Sequence, residues 1–268
     1  MLLKMILESY DLPCTDCSNE PLGKIPLTRV IDTLDRDYAK NDLVSAERHL
    51  IYWKKEAAML MDLRSELSIC NEIIGLCRRT ENRAMAFDAI ERAVAIMDKL
   101  DLCKTVAAGT VYLNMATTLR HFDETDKALA FYQKTEEVYR LTLPACSYEY
   151  AALYNNKAST LESLERFEES YELLKTALTI LDSLSEHYVD KAITYVNLAR
   201  LFFVWKKDTA ASDENLALAW DVLTDPSVKH DAAYAFVCLK ASEVFAYFDM
   251  SDEAEALLEV AREIYEGA

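Results

Sequence analysis

Apolar and small residues recur along this chain at helical spacing and, over a longer distance, at a nearly fixed interval. Ala46, Ala86, Ala128, Ser170, Ser212 and Ala254 are separated by 40, 42, 42, 42 and 42 residues. Four residues after each comes an apolar side chain: Leu50, Ile90, Tyr132, Leu174, Leu216 and Leu258. Three further on stand Trp53, Ala93, Ala177, Ala219 and Ala261, with Thr135 as the polar exception. Steps of four and three put these residues on one helix face, so each interval predicts an amphipathic helix. The small residue marks a place where a neighbouring helix comes close, because a large side chain there would hold the two apart.

A second signature runs ahead of the first. Tyr112-x-Asn114-x-Ala116-x-x-Leu119 returns as Tyr154-x-Asn156-x-Ala158-x-x-Leu161 and as Tyr195-x-Asn197-x-Ala199-x-x-Phe202. Ala116 and Ala158 lie twelve residues before Ala128 and Ser170 and supply the matching small face of a preceding helix. The turns between the two helices also repeat, with His121–Ala128 resembling Tyr247–Ala254. Thr125, Thr209 and Ser251 suit N-caps there, where a hydroxyl satisfies an orphaned helix amide. Ala199 and Ser212 are 13 residues apart, so one extra residue is expected in the turn Trp205–Asp208. Self-similarity at this period predicts a stacked array of helix pairs.

Composition agrees with an all-helical chain. Of 268 residues, 51% are apolar, and only 4 Gly and 5 Pro interrupt them. Residues 1–26, with Pro13, Pro21, Gly23 and Pro26, stand outside the repeat, and 27–268 are expected to form the array. The apolar start Met1–Ile6 is split by Lys4 and has no small-residue cleavage site after it, so no signal peptide is expected. There is no apolar run of membrane-span length. Seven cysteines cannot all pair. Cys70, Cys77, Cys103, Cys146 and Cys238 fall in expected helical stretches, and free thiols there place the chain in a reducing compartment, the cytoplasm. Cys14 and Cys17 lack the second ligand pair of a zinc site and the βαβ context of a redox motif.

The net charge of −17, from 29 basic and 46 acidic residues, argues against nucleic acid or an anionic membrane as partner. It fits either plain solubility or a basic partner.

The aromatic–Asn–small signature on one helix and the small–apolar–small signature on the next resemble the tetratricopeptide repeat (TPR). The resemblance covers about Leu27 to Tyr265 and is strongest over the last four repeats. The 42-residue period, with Asn-Leu-Ala at 197–199, resembles the kinesin-light-chain subtype. The fold this implies is an all-α, right-handed superhelical solenoid of about six helix pairs, with the first helix of each pair lining the concave side. In the first two repeats the Tyr-x-Asn signature is missing.

Signals for catalysis are weak. His49, His121, His187 and His230 lack metal-ligand spacing, no Gly-rich phosphate loop exists, and no Gly-x-Ser-x-Gly nucleophile motif occurs. Acidic pairs such as Glu168-Glu169 read as solvated charge. A non-enzymatic chain without cofactor or metal is expected. The asparagine ladder Asn114, Asn156, Asn197 needs a reason, because Asn is a poor helix-interior residue. A side-chain amide can pair with both the C=O and the N–H of an extended peptide. In the resembled subtype, asparagines at this position hold the ligand backbone. The alternative is that these amides bond a neighbouring helix or water.

Other residues on the ladder face follow a 4-3-4 spacing: Thr110, Thr117 and His121; Ala152, Ser159 and Ser163; Ile193, Arg200 and Val204; Phe236, Lys240, Glu243 and Tyr247. Asn114, Asn156, Asn197, Thr117, His121, Ser159, Arg200 and Lys240 are therefore the candidate ligand-binding residues, with Asp32 and Glu72 toward the other end. Such a groove suits a protein segment or short peptide whose acidic part lies near Lys240. Two other functions fit the same signals. One is a peptide-sensing intracellular regulator acting through a separate partner, and the other is a structural adaptor that self-associates into a homo-oligomer.

Overall fold

Six small residues at a fixed interval predict six close helix contacts, and these form. The computed structural model describes residues 21–184 and 187–267. Among them are twelve helices in two compact units, meeting in sequence at Pro144 and Ala145. The first unit holds α1 (Leu27–Ala39), α2 (Leu43–Met59), α3 (Leu63–Thr80), α4 (Arg83–Lys99), α5 (Val106–His121) and α6 (Thr125–Thr142). The second holds α7 (Tyr148–Ser163), α8 (Phe167–Asp182), α9 (Tyr188–Lys206), α10 (Thr209–Leu223), α11 (Ala232–Tyr247) and α12 (Ser251–Glu266).

Each odd-numbered helix pairs with the even-numbered one that follows, and α3 packs on α5 as α9 does on both α7 and α11. The first helices α3 and α5 thus lie side by side, as do α7, α9 and α11. The small residues sit at the pair contacts: Ala46, Ala86, Ala128, Ser170 and Ser212 are fully buried, and Ala254 nearly so. The Ser212 hydroxyl donates to the Ala199 carbonyl at 2.9 Å, so its polarity is satisfied in the core. The apolar residue four further on is covered by the next first helix, as where Leu174 clusters with Leu198 and Leu201.

The turn inside every pair uses one device. Asn41, Glu81, Asp123, Glu165, Lys207 and Asp249 all have positive φ, between 52° and 62°, and each lies five residues before the small position. None of them is glycine. In five of the turns the amide after the left-handed residue donates to a carbonyl five back: Asp42 to Asp37, Asn82 to Cys77, Glu124 to Leu119, Arg166 to Leu161 and Met250 to Phe245. This is the wider bond of a Schellman stop, which satisfies a carbonyl the helix leaves open. In the fifth turn Asp208 reaches six back, to Phe202, at 3.3 Å. The extra residue of that repeat is absorbed at this point.

Three sequence expectations need correction. Thr125, Thr209 and Ser251 are first helical residues rather than N-caps, and Glu124, Asp208 and Met250 hold the cap position. Side chains cap helices mainly where the residue after the left-handed one is Asp or Asn, as at Asp42, Asn82 and Asp208. Leu258 is 42% exposed and Leu257 is buried in its place, since no described helix covers that face of α12. Cys103 and Cys146 lie in turns, not helices. The residues just before α1 bond to the turn between α2 and α3: Leu22 N–H donates to the Leu60 carbonyl at 2.8 Å, Ile25 N–H donates to Asp62 Oδ2 at 3.1 Å, and Ile25 is buried. Residues 1–20, with Met1–Ile6, Cys14 and Cys17, lie outside the described residues.

Candidate functional site

The asparagine ladder is built into contacts between first helices. Asn114 on α5 donates through Nδ2 to the Asn71 backbone carbonyl of α3 at 2.8 Å, with Asn71 Oδ1 at 3.1 Å. Its Oδ1 accepts from Arg78 Nη1 at 2.6 Å. In the second unit Asn197 on α9 donates through Nδ2 to Asn155 Oδ1 of α7 at 3.1 Å. Asn155 is itself buried and donates to Thr194 Oγ1 at 2.8 Å. Asn156 donates to the Ala152 carbonyl of its own helix at 2.8 Å. Amide–amide bonds therefore tie successive first helices diagonally, each acceptor sitting one position before the ladder. Asn155 is visible in the sequence as the neighbour of Asn156. Asn71 is one residue out of register with the ladder, so the interval alone does not find it.

The remaining candidates are also engaged. Thr117 Oγ1 donates to the Leu113 carbonyl at 2.9 Å, and His121 Nε2 lies 3.1 Å from the Glu81 carboxylate. Arg200 makes a two-pronged pair with Glu162, at 2.9 and 3.2 Å, and donates to Ser159 Oγ at 3.0 Å. Geometry of this kind is the stronger form of ion pair. Any ligand carboxylate must compete with Glu162 for that guanidinium. Lys240 pairs with Glu243 one turn away on an exposed face, an arrangement that contributes little. The structure brings Asn156, Ser159, Asn197, Arg200 and Lys240 onto α7, α9 and α11 of one unit. It places Asn114, Thr117 and His121 on α5 of the other.

The first helices of the second unit also leave large apolar side chains open. Val204, Phe236 and Tyr247 are 39%, 40% and 65% exposed. Phe203 meets Tyr247 edge-on at 5.7 Å and Phe248 at 5.2 Å, and Lys207 lies over the Phe203 ring at 5.2 Å. The 4-3-4 spacing placed Val204, Phe236 and Tyr247 on the ladder face. The charge-based choice of site residues passed them over.

In this arrangement of paired helices the chain is similar to solved structures. Nearly identical TPR-like repeats of a candidate kinesin light chain from Podosopora anserina superpose with a TM-score of 0.52 and 16% identity, covering 74% of this chain and 94% of that one. The fold is that of TPR-like repeats. A single-substitution variant of the same protein gives 0.52 and 16%, over 74% and 93%. BtubC (BKLC) from P. vanneervenii gives 0.49 and 18%, over 91% and 92%. No family model matches the chain, and no curated protein matches it. At these identities the likeness concerns fold alone.

Among the described residues no group of three or more His, Cys, Asp or Glu is placed to hold a metal ion. No described helix is long and apolar enough to cross a membrane. The five described cysteines are free, and burial pushes the Cys70 and Cys77 thiols up to about 12, which keeps them protonated and unreactive. In the first unit burial pushes the Glu72 carboxyl up to about 7, helped by the negative charge of Asp35 and opposed by Arg78.

Proposed function

We propose that this chain is a non-enzymatic module that binds a peptide or protein segment along the first helices of its pairs. The observation that carries this reading is the exposure of Val204, Phe236 and Tyr247 on adjacent first helices of one unit. Phe236 and Tyr247 lie eleven residues apart on one face of α11, about 16 Å at 1.5 Å per residue, so these exposed apolar side chains mark a strip that suits an extended segment. Lys240 and Lys207 beside them favour a segment whose apolar residue is flanked by acidic ones. Asn197 Oδ1 has no partner among the described residues and can accept from a ligand backbone amide. The free thiols of the described cysteines support a cytoplasmic setting.

The test uses 12-residue peptides selected from a random displayed library, titrated against the whole chain. Phe236→Ala and Tyr247→Ala should each weaken binding about tenfold, near 1.4 kcal/mol. The Asn114, Asn156 and Asn197 triple Ala variant should bind more weakly across all selected peptides, because backbone contacts carry no side-chain information. It should also lose about 1–3 kcal/mol of stability, since Arg78 and Asn155 lose partners within the fold. Failure to select any peptide, with the chain self-associating on sizing, would replace this reading by a structural adaptor.

A further inference from the structure

Five arginines of this chain are each bonded to a glutamate: Arg83 to Glu124, Arg92 to Glu66, Arg166 to Glu169, Arg200 to Glu162 and Arg262 to Glu259. With 46 acidic residues, carboxylates are plentiful. Arg78 and Arg120 differ. They stand 42 residues apart, at the same place in the last turns of α3 and α5, two helices that pack together. Arg78 uses only Nη1 within the fold, and only toward neutral acceptors: Asn114 Oδ1 and Thr118 Oγ1, both at 2.6 Å, and the Asn114 carbonyl at 3.5 Å. Arg120 has no hydrogen-bond or ion-pair partner among the described residues, and its Nε is fully shut off from water. An N–H in that state is costly unless an acceptor comes to it.

Nearby charge does not resolve the matter. Burial depresses the Arg78 pKa, Tyr132 opposes that shift, and the positive charge of Arg120 adds to it. Glu72 lies six residues before Arg78, roughly 9 Å along the helix at 1.5 Å per residue. It makes no hydrogen bond to Arg78, and with its carboxyl up at about 7 it is only partly ionised at neutral pH. Arg78 is held in place by Asn114 and Thr118, with Nε and Nη2 unspent, and the Arg120 guanidinium is unpaired among the described residues, its Nε closed off from water. Guanidinium groups at the same place on two packed helices, one of them held by the fold, suit the planar or tetrahedral oxygens of an oxyanion.

We propose that Arg78 and Arg120 form an oxyanion subsite on the first-helix layer of the first unit, taking a carboxylate or phosphoryl group of the bound partner. This rests on the reading of the first helices as the ligand surface and names one chemical group on that ligand. The test uses small ions, so a chain that selects no peptide can still pass it. Sodium acetate and sodium phosphate are added in turn to the full isotope-labelled chain at constant ionic strength, and the arginine Nε–H resonances are followed by NMR. The Arg120 and Arg78 signals should move saturably, while that of Arg166, exposed and already paired, should not. Arg120→Gln should weaken the Arg78 response at least tenfold, and Arg120→Lys should restore part of it. A response to acetate assigns a carboxylate, and a response to phosphate alone assigns a phosphoryl group. No saturable movement with either ion, or movement no larger than at Arg166, would overturn the subsite.

Discussion

The Ser170 hydroxyl donates to the Ala158 carbonyl at 2.9 Å, where α7 and α8 come closest. Both residues are fully buried, so there is room for a hydroxyl and for little more. Ser170→Ala should cost about 0.5–1.5 kcal/mol, the worth of one hydrogen bond. Ser170→Leu should cost more, about 1–3 kcal/mol or above, by overfilling the contact, as should Ala128→Leu at the equivalent place in the third pair. A change in the turn, such as Glu124→Gln, should stay near 0.5 kcal/mol. Urea unfolding midpoints give the comparison. Equal losses at Ala128 and Glu124 would mean that the small residues do not mark the contacts.

Gly109 lies mid-helix in α5, where alanine would ordinarily be favoured by about 1 kcal/mol. Here a Cβ would press on Tyr139 Cε1 and lie 2.8 Å from Cδ1, and the Tyr139 ring is 1% exposed and cannot swing aside. Gly109→Ala should therefore destabilise, by about 1–3 kcal/mol. Adding Tyr139→Leu should recover part of that loss. A Gly109→Ala variant as stable as the parent would show that the ring gives way.

The left-handed turn residues are strained by their side chains. An L-residue in this region costs roughly 1–2 kcal/mol, most of it removed by glycine. Glu165→Gly and Lys207→Gly should thus be neutral or stabilising by up to about 1 kcal/mol. Glu165→Val should destabilise, since a β-branched side chain fits positive φ worst. Thermal unfolding of the three variants decides it, and a Val variant matching the Gly variant would count against the geometry.

Glu72 sets a pH dependence with a definite sign. Its carboxyl is raised from 4.5 to about 7, so between those values the folded chain holds a proton that the unfolded chain has released. The stability it contributes is complete below about pH 4.5 and is lost as pH rises through about 7. Glu72→Gln should match the parent at pH 4 and exceed it at pH 8, by about 2 kcal/mol or less given the partial exposure of the group. Unfolding curves at the two pH values measure the difference. A gain of the same size at both would exclude titration of Glu72 as its source.

The helix pairs were legible because close contacts admit few residue types: only Ala or Ser fits at 46, 86, 128, 170, 212 and 254, and the interval then shows itself. The turns were less legible. Asn41, Met61, Glu81, Asp101, Asp123, Glu165, Lys207 and Asp249 share positive φ but no residue type, so no motif announces them. The ladder was visible as a repeat, yet its partner Asn71 was hidden by being out of register, and nothing in the interval showed that Glu162 answers Arg200 from another helix. The exposed aromatics were visible as positions. Only the structure separates Phe236, left open, from Phe245, which is buried.

The fifth turn also bears on how such an array can change length. Its surplus residue is taken up between Phe202 and Asp208, and from Lys207 onward every left-handed residue and small residue keeps its five-residue separation. Counting is thus restarted at each turn, and an error in one first helix is not passed to the second. Insertions at the C-terminal end of a first helix are the ones the architecture can correct locally. Insertions between the left-handed residue and the small one would shift the whole second helix by 100° and bury its charged side.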